Sequence, residues 1–186
     1  MHVRLVRNGL VIACLLGMPA NAAVIDFDGV ASGTFLDDEF LALGIDFGGS
    51  MQVLGSTLAV SGPNEAFGPP FGPDPTRIDA ATDEFVSLGA WFRGHSAGNT
   101  LTIEAFDAGD ASLGSVSFSP PDTGLTHDYL EINQSHTGGA TFAYVHISID
   151  SVGYSMDDLE FVVLPAPASV APILGVLLVG GRRRRD

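Results

Sequence analysis

Hydrophobic and polar residues alternate with a period of two along much of this chain. The alternation is clearest in four stretches, at residues 85–92, 101–105, 115–118 and 141–150. A period of two is typical of a β-strand that buries one face and exposes the other. Gly, Pro, Asp and Thr separate the stretches as turn signals, at residues 107–110, 120–124 and 137–139.

These stretches predict an all-β fold. In the first of them, the pattern places Val86, Leu88, Ala90 and Phe92 on one face. Residues 36–43 are the one place in the body where we expect a helical turn. Strands with recurring turn signals and no long amphipathic helix predict an antiparallel β-sandwich.

Residues 62–76 do not follow the alternation, because five prolines and three glycines lie among them. We expect a long irregular loop here, and such loops often bind ligands or act as flaps. It contains Phe67 and Phe71, which together with Trp91 are candidates for stacking on a sugar ring. The favoured alternative for the two loop rings is that they fold back and plug one end of the sandwich, since loop aromatics are usually buried.

The charge of the body excludes one class of partner. Residues 23–163 contain 21 acidic residues against two arginines, Arg77 and Arg93, and no lysine, which leaves a net charge of −19. Such a surface repels phosphate backbones, so we expect no nucleic-acid partner. Solvated carboxylates are the ordinary interpretation of this excess, and binding of a divalent cation is the specific one.

Residues 1–22 have the three parts of a secretory signal peptide. Arg4 and Arg7 precede an apolar segment, and Pro19-Ala20-Asn21-Ala22 ends in Ala-x-Ala, which predicts cleavage after Ala22. A lipoprotein cleavage before Cys14 is the less favoured alternative, because too little apolar segment precedes it. With cleavage after Ala22 the mature chain is exported through the inner membrane and contains no cysteine.

Residues 164–186 have a different order of properties. A segment with Pro165 and Pro167 comes first, an uncharged apolar stretch at residues 170–181 follows, and four arginines, Arg182, Arg183, Arg184 and Arg185, end it. An apolar segment stopped by arginines is typical of a membrane anchor with the arginines on the cytoplasmic side. Twelve helical residues span roughly 18 Å, less than the bilayer core, which favours a transient anchor.

This tail resembles the PEP-CTERM sorting signal of Gram-negative bacteria, in its VPLPA-CTERM variant. Leu164-Pro165-Ala166-Pro167 matches the variant, although Val163 stands where its first proline would be. The resemblance implies that an exosortase-type processing enzyme recognises the tail. It also implies that the protein is anchored in the membrane by a C-terminal transmembrane helix and is then released to the cell surface.

Two segments that frame the body carry a second resemblance. Residues 24–34 read Val-Ile-Asp-Phe-Asp-Gly-Val-Ala-Ser-Gly-Thr, and residues 156–161 read Met-Asp-Asp-Leu-Glu-Phe. Both are similar to segments of the exported jelly-roll domains that often precede such tails and that resemble galactose-binding-type carbohydrate-binding modules. The resemblance implies a β-jelly roll over residues 23–163 whose first and last strands lie close together.

In such jelly rolls the meeting of the first and last strands often holds a structural Ca²⁺. The matching acids are Asp26 or Asp28 and Asp157 or Asp158, with Glu39 as a further ligand. Asp157 shares the alternation phase of Leu159 and Phe161, so we expect it on the buried face, where an unpaired carboxylate is costly. A carboxylate that caps nearby backbone N–H groups is an equal alternative to a calcium ligand.

Gly94-His95-Ser96-Ala97-Gly98 matches the nucleophile elbow of serine hydrolases. The elbow requires a helix directly after the serine, whereas residues 99–104 predict another strand. We therefore interpret the segment as a hairpin turn between two strands. The favoured function is non-catalytic: carbohydrate binding or a structural role at the cell surface or in an extracellular polysaccharide matrix. The alternative is a secreted hydrolase, either a serine esterase that uses Ser96 or a polysaccharide-active jelly-roll enzyme.

Overall fold

The fold is described by a computed structural model at residues 20–49, 51–68, 75–95, 98–119, 125–150 and 153–164. Most of the predicted signal peptide, Phe71, Ser96 and the sorting segment from Pro165 to Arg185 lie outside the described residues. The described strands are β1 (Asn21–Ile25), β2 (Phe35–Leu36), β3 (Ile45–Asp46), β4 (Met51–Gly55), β5 (Asn64–Phe67), β6 (Thr76–Ala80), β7 (Glu84–Gly94), β8 (Leu101–Phe106), β9 (Ser112–Phe118), β10 (Asp128–Asn133), β11 (Tyr144–Ile149) and β12 (Tyr154–Leu164).

These strands form two sheets in which every pair is antiparallel. One sheet has the order β10-β7-β12-β5-β4-β2, with β1 also paired to β12, and the other has the order β3-β6-β11-β8-β9. The predicted antiparallel β-sandwich is confirmed. The first and last strands are direct neighbours, since β1 pairs with β12 from Asn21 opposite Val163 to Ile25 opposite Leu159.

The core lies between the sheets and consists of the apolar phase of each strand. From the first sheet, Leu88, Ala90 and Phe92 are fully buried, and Ile103 and Val145 meet them from the second. Val86 is not buried with Leu88, Ala90 and Phe92 as the alternation predicts, because the pairing of β7 with β12 shifts by one residue between Val162 and Val163. Phe85 is consequently the buried residue at that end of β7, and it packs at 5.5 Å against the ring of Phe142.

Two further predictions concern the connections. The helical turn expected in residues 36–43 is confirmed as a short 3-10 helix, Leu41–Leu43. The irregular loop expected at residues 62–76 is wrong for its first part, because β5 pairs there with both β4 and β12. Pro63 precedes the strand, and Glu65, Ala66 and Phe67 alternate across the sheet without a proline to interrupt the hydrogen bonds.

The hairpin predicted around Ser96 is also wrong, because β7 belongs to the larger sheet and β8 to the smaller one, so the two strands are not paired with each other. A strand follows the motif, in agreement with the expectation that no helix begins there. No helix in the described part of the chain is long and apolar enough to cross a membrane.

Asp157 also lies on a different face of its strand from the one that the alternation predicts. Asp157 lies opposite Trp91 and Glu160 lies opposite Gly89, so β12 contains one residue more than β7 between these pairs. Asp158 takes up this β-bulge with a left-handed φ of 45°. The bulge reverses the phase of the strand, and Asp157 therefore lies on the outer face of the sheet with Trp91 rather than in the core. It is nevertheless fully buried, as expected, because residues 60 and 61 cover it.

Candidate functional site

On the outer face of the larger sheet, aromatic and charged residues of neighbouring strands lie directly opposite one another. Tyr129 of β10 lies opposite Trp91 of β7, and Glu131 of β10 lies opposite Gly89. On the other side of β7, Glu160 of β12 also lies opposite Gly89. Adjacent strands are about 4.8 Å apart, so the two glutamates flank the glycine with their Cα atoms roughly 10 Å apart.

Gly89 leaves the space that Tyr129 occupies. A Cβ at this position would lie 2.6 Å from the Tyr129 hydroxyl oxygen and 2.9 Å from the Cβ of Glu131. The phenol therefore crosses over the backbone of β7, and its hydroxyl donates a hydrogen bond of 3.1 Å to Glu160. The ring of Trp91 supports it edge to face, with the centroids 5.5 Å apart. Although it is held on these sides, Tyr129 remains 39% exposed.

The environment keeps this phenol neutral. Burial, the negative charge and hydrogen bond of Glu160, and the charge of Glu131 raise the pKa of Tyr129 to about 12. Each of these causes disfavours the phenolate. The hydroxyl is consequently a hydrogen-bond donor at neutral pH and is poorly suited to act as a nucleophile.

Tyr129 borders an open groove of about 420 Å³ on this face. Its walls combine two aromatic residues, two carboxylates, the hydroxyl groups of a serine and a tyrosine, and several small or aliphatic side chains. The lining residues are Ala22, Ala23, Val24, Ser87, Tyr129, Glu131, Glu160, Phe161 and Val162. A ring that offers a flat apolar surface beside hydrogen-bond acceptors suits a ligand that is apolar on one face and rich in donors at its edge.

A buried ionic network lies further along the same face. Glu65 is fully buried and forms an ion pair with Arg93, through Nη2 and Oε2, and its Oε1 lies 3.0 Å from Nε2 of His127. Burial alone would raise the pKa of Glu65, but hydrogen bonds from His127 and Arg93 and the charge of Arg93 lower it to about 2. Arg93 Nε also donates to Ser155 Oγ at 3.1 Å, which ties β7 to β12.

Asp157 fastens a loop onto this face. Its Oδ2 accepts hydrogen bonds from the backbone N–H groups of Val60 at 2.7 Å and Ser61 at 2.9 Å. The neighbouring Asp158 accepts a bond of 2.6 Å from the Ser61 hydroxyl. The capping alternative is thus what the structure shows for Asp157, although burial still raises the pKa of this carboxyl group.

The other predicted metal ligands also have local partners. Asp26 Oδ1 accepts a bond from the N–H of Asp28, and Asp28 Oδ1 accepts one from the N–H of Asn64. Glu39 caps the N–H of Asp37 and lines a separate cavity with Asp26. Among the described residues, no three His, Cys, Asp or Glu side chains are grouped as a metal site. Calcium binding by Asp26, Asp28, Asp157 and Asp158 stays a prediction.

The predicted sugar-stacking residues are only partly brought together. Trp91 lies beside the groove and packs against Tyr129, whereas Phe67 lies in β5, which is separated from β7 by β12. Because Phe67 is a strand residue that packs at 5.5 Å against His95 on the outer face, it does not plug the end of the sandwich. Phe71 lies outside the described residues.

A second aromatic group, on the outer face of the smaller sheet, is closed by its own contacts. The rings of Phe106 and Tyr144 stack at 4.9 Å with an angle of 5° between their planes. The guanidinium of Arg77 covers Tyr144, 3.7 Å from the ring centroid. Tyr144 is consequently only 3% exposed and offers little surface to a ligand, in contrast to Tyr129.

The sequence interpretation missed Tyr129, Glu131 and Glu160 as site residues. A signal was present, because Tyr129, Glu131 and Asn133 form the polar phase of a short strand and Gly89 interrupts a strand interior. A glycine there often marks a place where another group approaches the backbone. Assigning that group to Tyr129 requires the β7–β10 register, which the local pattern does not contain.

Known structures share this fold at low sequence identity, whereas no protein-family model and no curated protein matches the chain. A DUF4465 family protein from Bacteroides caccae ATCC 43185 is 11% identical, with a TM-score of 0.53 over 76% of this chain and 98% of that one. The arabinose-bound α-L-arabinofuranosidase MgGH51 is 13% identical, with a TM-score of 0.51 over 74% of this chain. This chain corresponds to only 25% of that enzyme. These similarities establish the β-sandwich fold.

Proposed function

We propose that this protein is an exported, surface-sorted β-sandwich that binds carbohydrate without cleaving it. The binding site is the groove beside Tyr129 on the outer face of the larger sheet. The ligand is an extracellular polysaccharide at the cell surface or in the surrounding matrix.

The exposed ring of Tyr129 above Gly89 carries this proposal. A sugar ring has one face of C–H groups, which packs on an aromatic ring, and a rim of hydroxyl groups, which hydrogen-bond to polar neighbours. Tyr129 supplies the flat surface, and Glu131 and Glu160 supply charged acceptors on both sides. Hydrogen bonds to a carboxylate are roughly twice as strong as those between neutral groups.

The comparison with solved structures supports the proposal at the level of the fold. One of the proteins with this fold, MgGH51, is an enzyme named for arabinofuranoside chemistry whose structure contains arabinose. A β-sandwich of this kind therefore occurs in a protein whose structure contains a bound sugar. The argument for this chain still rests on its own groove, because one fold supports many functions.

Affinity electrophoresis of the full-length protein in gels that contain different polysaccharides tests the proposal. We expect at least one polysaccharide to retard the protein and the Tyr129→Ala variant to lose that retardation. Phe35→Ala is the matched control, since Phe35 is 61% exposed on the same face but belongs to β2 at the opposite edge. If no polysaccharide retards the protein, or if Tyr129→Ala is retarded like the wild type, the proposed site is wrong.

The same samples separate binding from hydrolysis. A binding protein leaves the retained polysaccharide intact, so no new reducing ends are formed. If reducing ends are released, and if Glu131→Gln or Glu160→Gln abolishes their release, the protein is a polysaccharide-active enzyme rather than a binding protein. Release of acid from ester substrates that Ser96→Ala abolishes would establish the serine hydrolase.

Surface sorting is a part of the proposal that rests on the sequence of the two ends. An exosortase-type enzyme acts on the segment with Pro165 and Pro167, and the membrane holds the protein until then. Mass spectrometry of the protein from the cell surface should show a chain that lacks Arg182–Arg185. A surface form that retains these arginines would contradict transient anchoring, and deletion of the four arginines should prevent processing.

A further inference from the structure

The charge of the groove limits which sugars it can accept. Glu131 and Glu160 both lie beside Gly89, one on each neighbouring strand. Neither carboxylate has an Arg, Lys or His within ion-pair distance among the described residues. Tyr129 is a neutral donor whose hydroxyl is already bonded to Glu160. In the uncleaved chain the groove therefore presents two negative charges that no described side-chain cation balances. The predicted cleavage after Ala22 would add the α-ammonium of Ala23 on β1, which leaves one of the two charges in excess.

From this arrangement we infer that the polysaccharide carries free amino groups, as a de-N-acetylated hexosamine polymer does. The inference rests on the proposed function of the groove and names the class of its ligand. An ammonium group between the two glutamates forms charge-assisted hydrogen bonds with either one. It also lies near the face of Tyr129, where the ring attracts a cation.

The net charge of the body also favours a cationic ligand over an anionic one. The body carries a net charge of −19, so a polymer of uronic acids is repelled at long range and again in the groove. A neutral polymer can stack on Tyr129 but leaves the negative charge of the two carboxylates in excess. An amino polymer can stack on Tyr129 and also supply counter-charges to Glu131 and Glu160. It is therefore the ligand class that interacts with every one of these groups.

Acetylation of the probe isolates the amino group from the rest of the sugar. Isothermal titration of the full-length protein compares a β-1,4-linked glucosamine hexamer with its fully N-acetylated form, which has the same backbone and no charge. We expect the amino hexamer to bind about tenfold more tightly or better, since the charged contacts are lost on acetylation. An oligogalacturonate of the same length should not bind.

Two variants test whether the groove makes this distinction. Glu131→Gln combined with Glu160→Gln should reduce the preference for the amino hexamer to about twofold or less. Asp37→Asn combined with Asp38→Asn removes the same charge from an exposed loop outside the groove and should leave the preference unchanged. A similar loss in both double variants would mean that only the net charge of the protein is sensed, which would overturn the inference.

The outcomes also separate this inference from the proposed function. Equal binding of the amino and N-acetylated hexamers, both sensitive to Tyr129→Ala, would retain a carbohydrate site and overturn the amino-sugar class. Binding of a poly-lysine peptide as tight as that of the amino hexamer, with the same dependence on Glu131 and Glu160, would replace the sugar with a basic protein partner. If none of the sugars binds, the proposed function fails as well.

Discussion

The carboxylate of Asp157 and the indole of Trp91 lie directly opposite each other on the same outer face of the larger sheet. This pairing exists because Asp158 forms a β-bulge in the middle of β12. The bulge has two consequences. It places Asp157 under the loop at residues 60 and 61, and it turns Leu159 and Phe161 inward while Glu160 lines the groove.

Replacing Asp157 with alanine should destabilise the fold. The N–H groups of Val60 and Ser61 lose their acceptor, and the cost of leaving such groups unpaired is about 1–3 kcal/mol in the free energy of unfolding. Urea denaturation measures this value. Asp38→Ala is the control on an exposed loop, and its effect should stay within about 0.5 kcal/mol. Equal stability of Asp157→Ala and the wild type would mean that the loop is not fastened in this way.

Calcium provides a separate test of the predicted acids. If Asp157 only caps the N–H groups of Val60 and Ser61, the melting temperature is the same with Ca²⁺ and with EDTA at constant ionic strength. The constant ionic strength is needed because salt alone screens the acidic body. A rise of several degrees in Ca²⁺ that Asp157→Asn abolishes, while Asp110→Asn does not, would establish the calcium site instead.

The buried contacts of Glu65, which include its ion pair with Arg93, should make stability depend on acid pH. The pKa of Glu65 is lowered from 4.5 to about 2 in the folded state. Its contribution is therefore complete above pH 4.5 and is lost as the pH falls from 4.5 towards 2, and a shift of this size corresponds to about 3 kcal/mol. Unfolding free energies of the wild type and Glu65→Gln should converge over this range. A constant difference between them at all pH values would contradict the coupling.

Gly89→Ala should disturb the groove more than the fold. The new Cβ would meet the Tyr129 hydroxyl and the Cβ of Glu131, so the phenol must move away from its position over β7. We expect polysaccharide retardation to be lost, with a destabilisation of about 1–3 kcal/mol from overpacking. Gly29→Ala is a matched control, because a Cβ there meets nothing within 4 Å. Unchanged retardation in Gly89→Ala would show that the position of Tyr129 does not matter for binding.

The local sequence pattern was sufficient for the fold class but not for the site. Alternation at residues 101–105 and 141–150 predicts strands that the structure contains, because each strand buries one face whatever its partners are. A bulge such as that at Asp158 depends on the register against β7, whereas periodicity indicates only which face of a strand is buried and does not identify the residue that lies opposite. The groove was missed for the same reason, since Tyr129, Gly89 and Glu160 come from three strands that are distant in the sequence.

Trp91 offers the most direct measurement of the central claim, that sugars bind on Tyr129. It is the only tryptophan of the chain, and its ring is 5.5 Å from that of Tyr129. Titration with a polysaccharide that retards the protein should give a saturable change in tryptophan fluorescence, with no change in Tyr129→Ala. A polysaccharide that is still bound while the fluorescence of Trp91 stays constant, or an undiminished change in Tyr129→Ala, would place the ligand elsewhere and contradict this account.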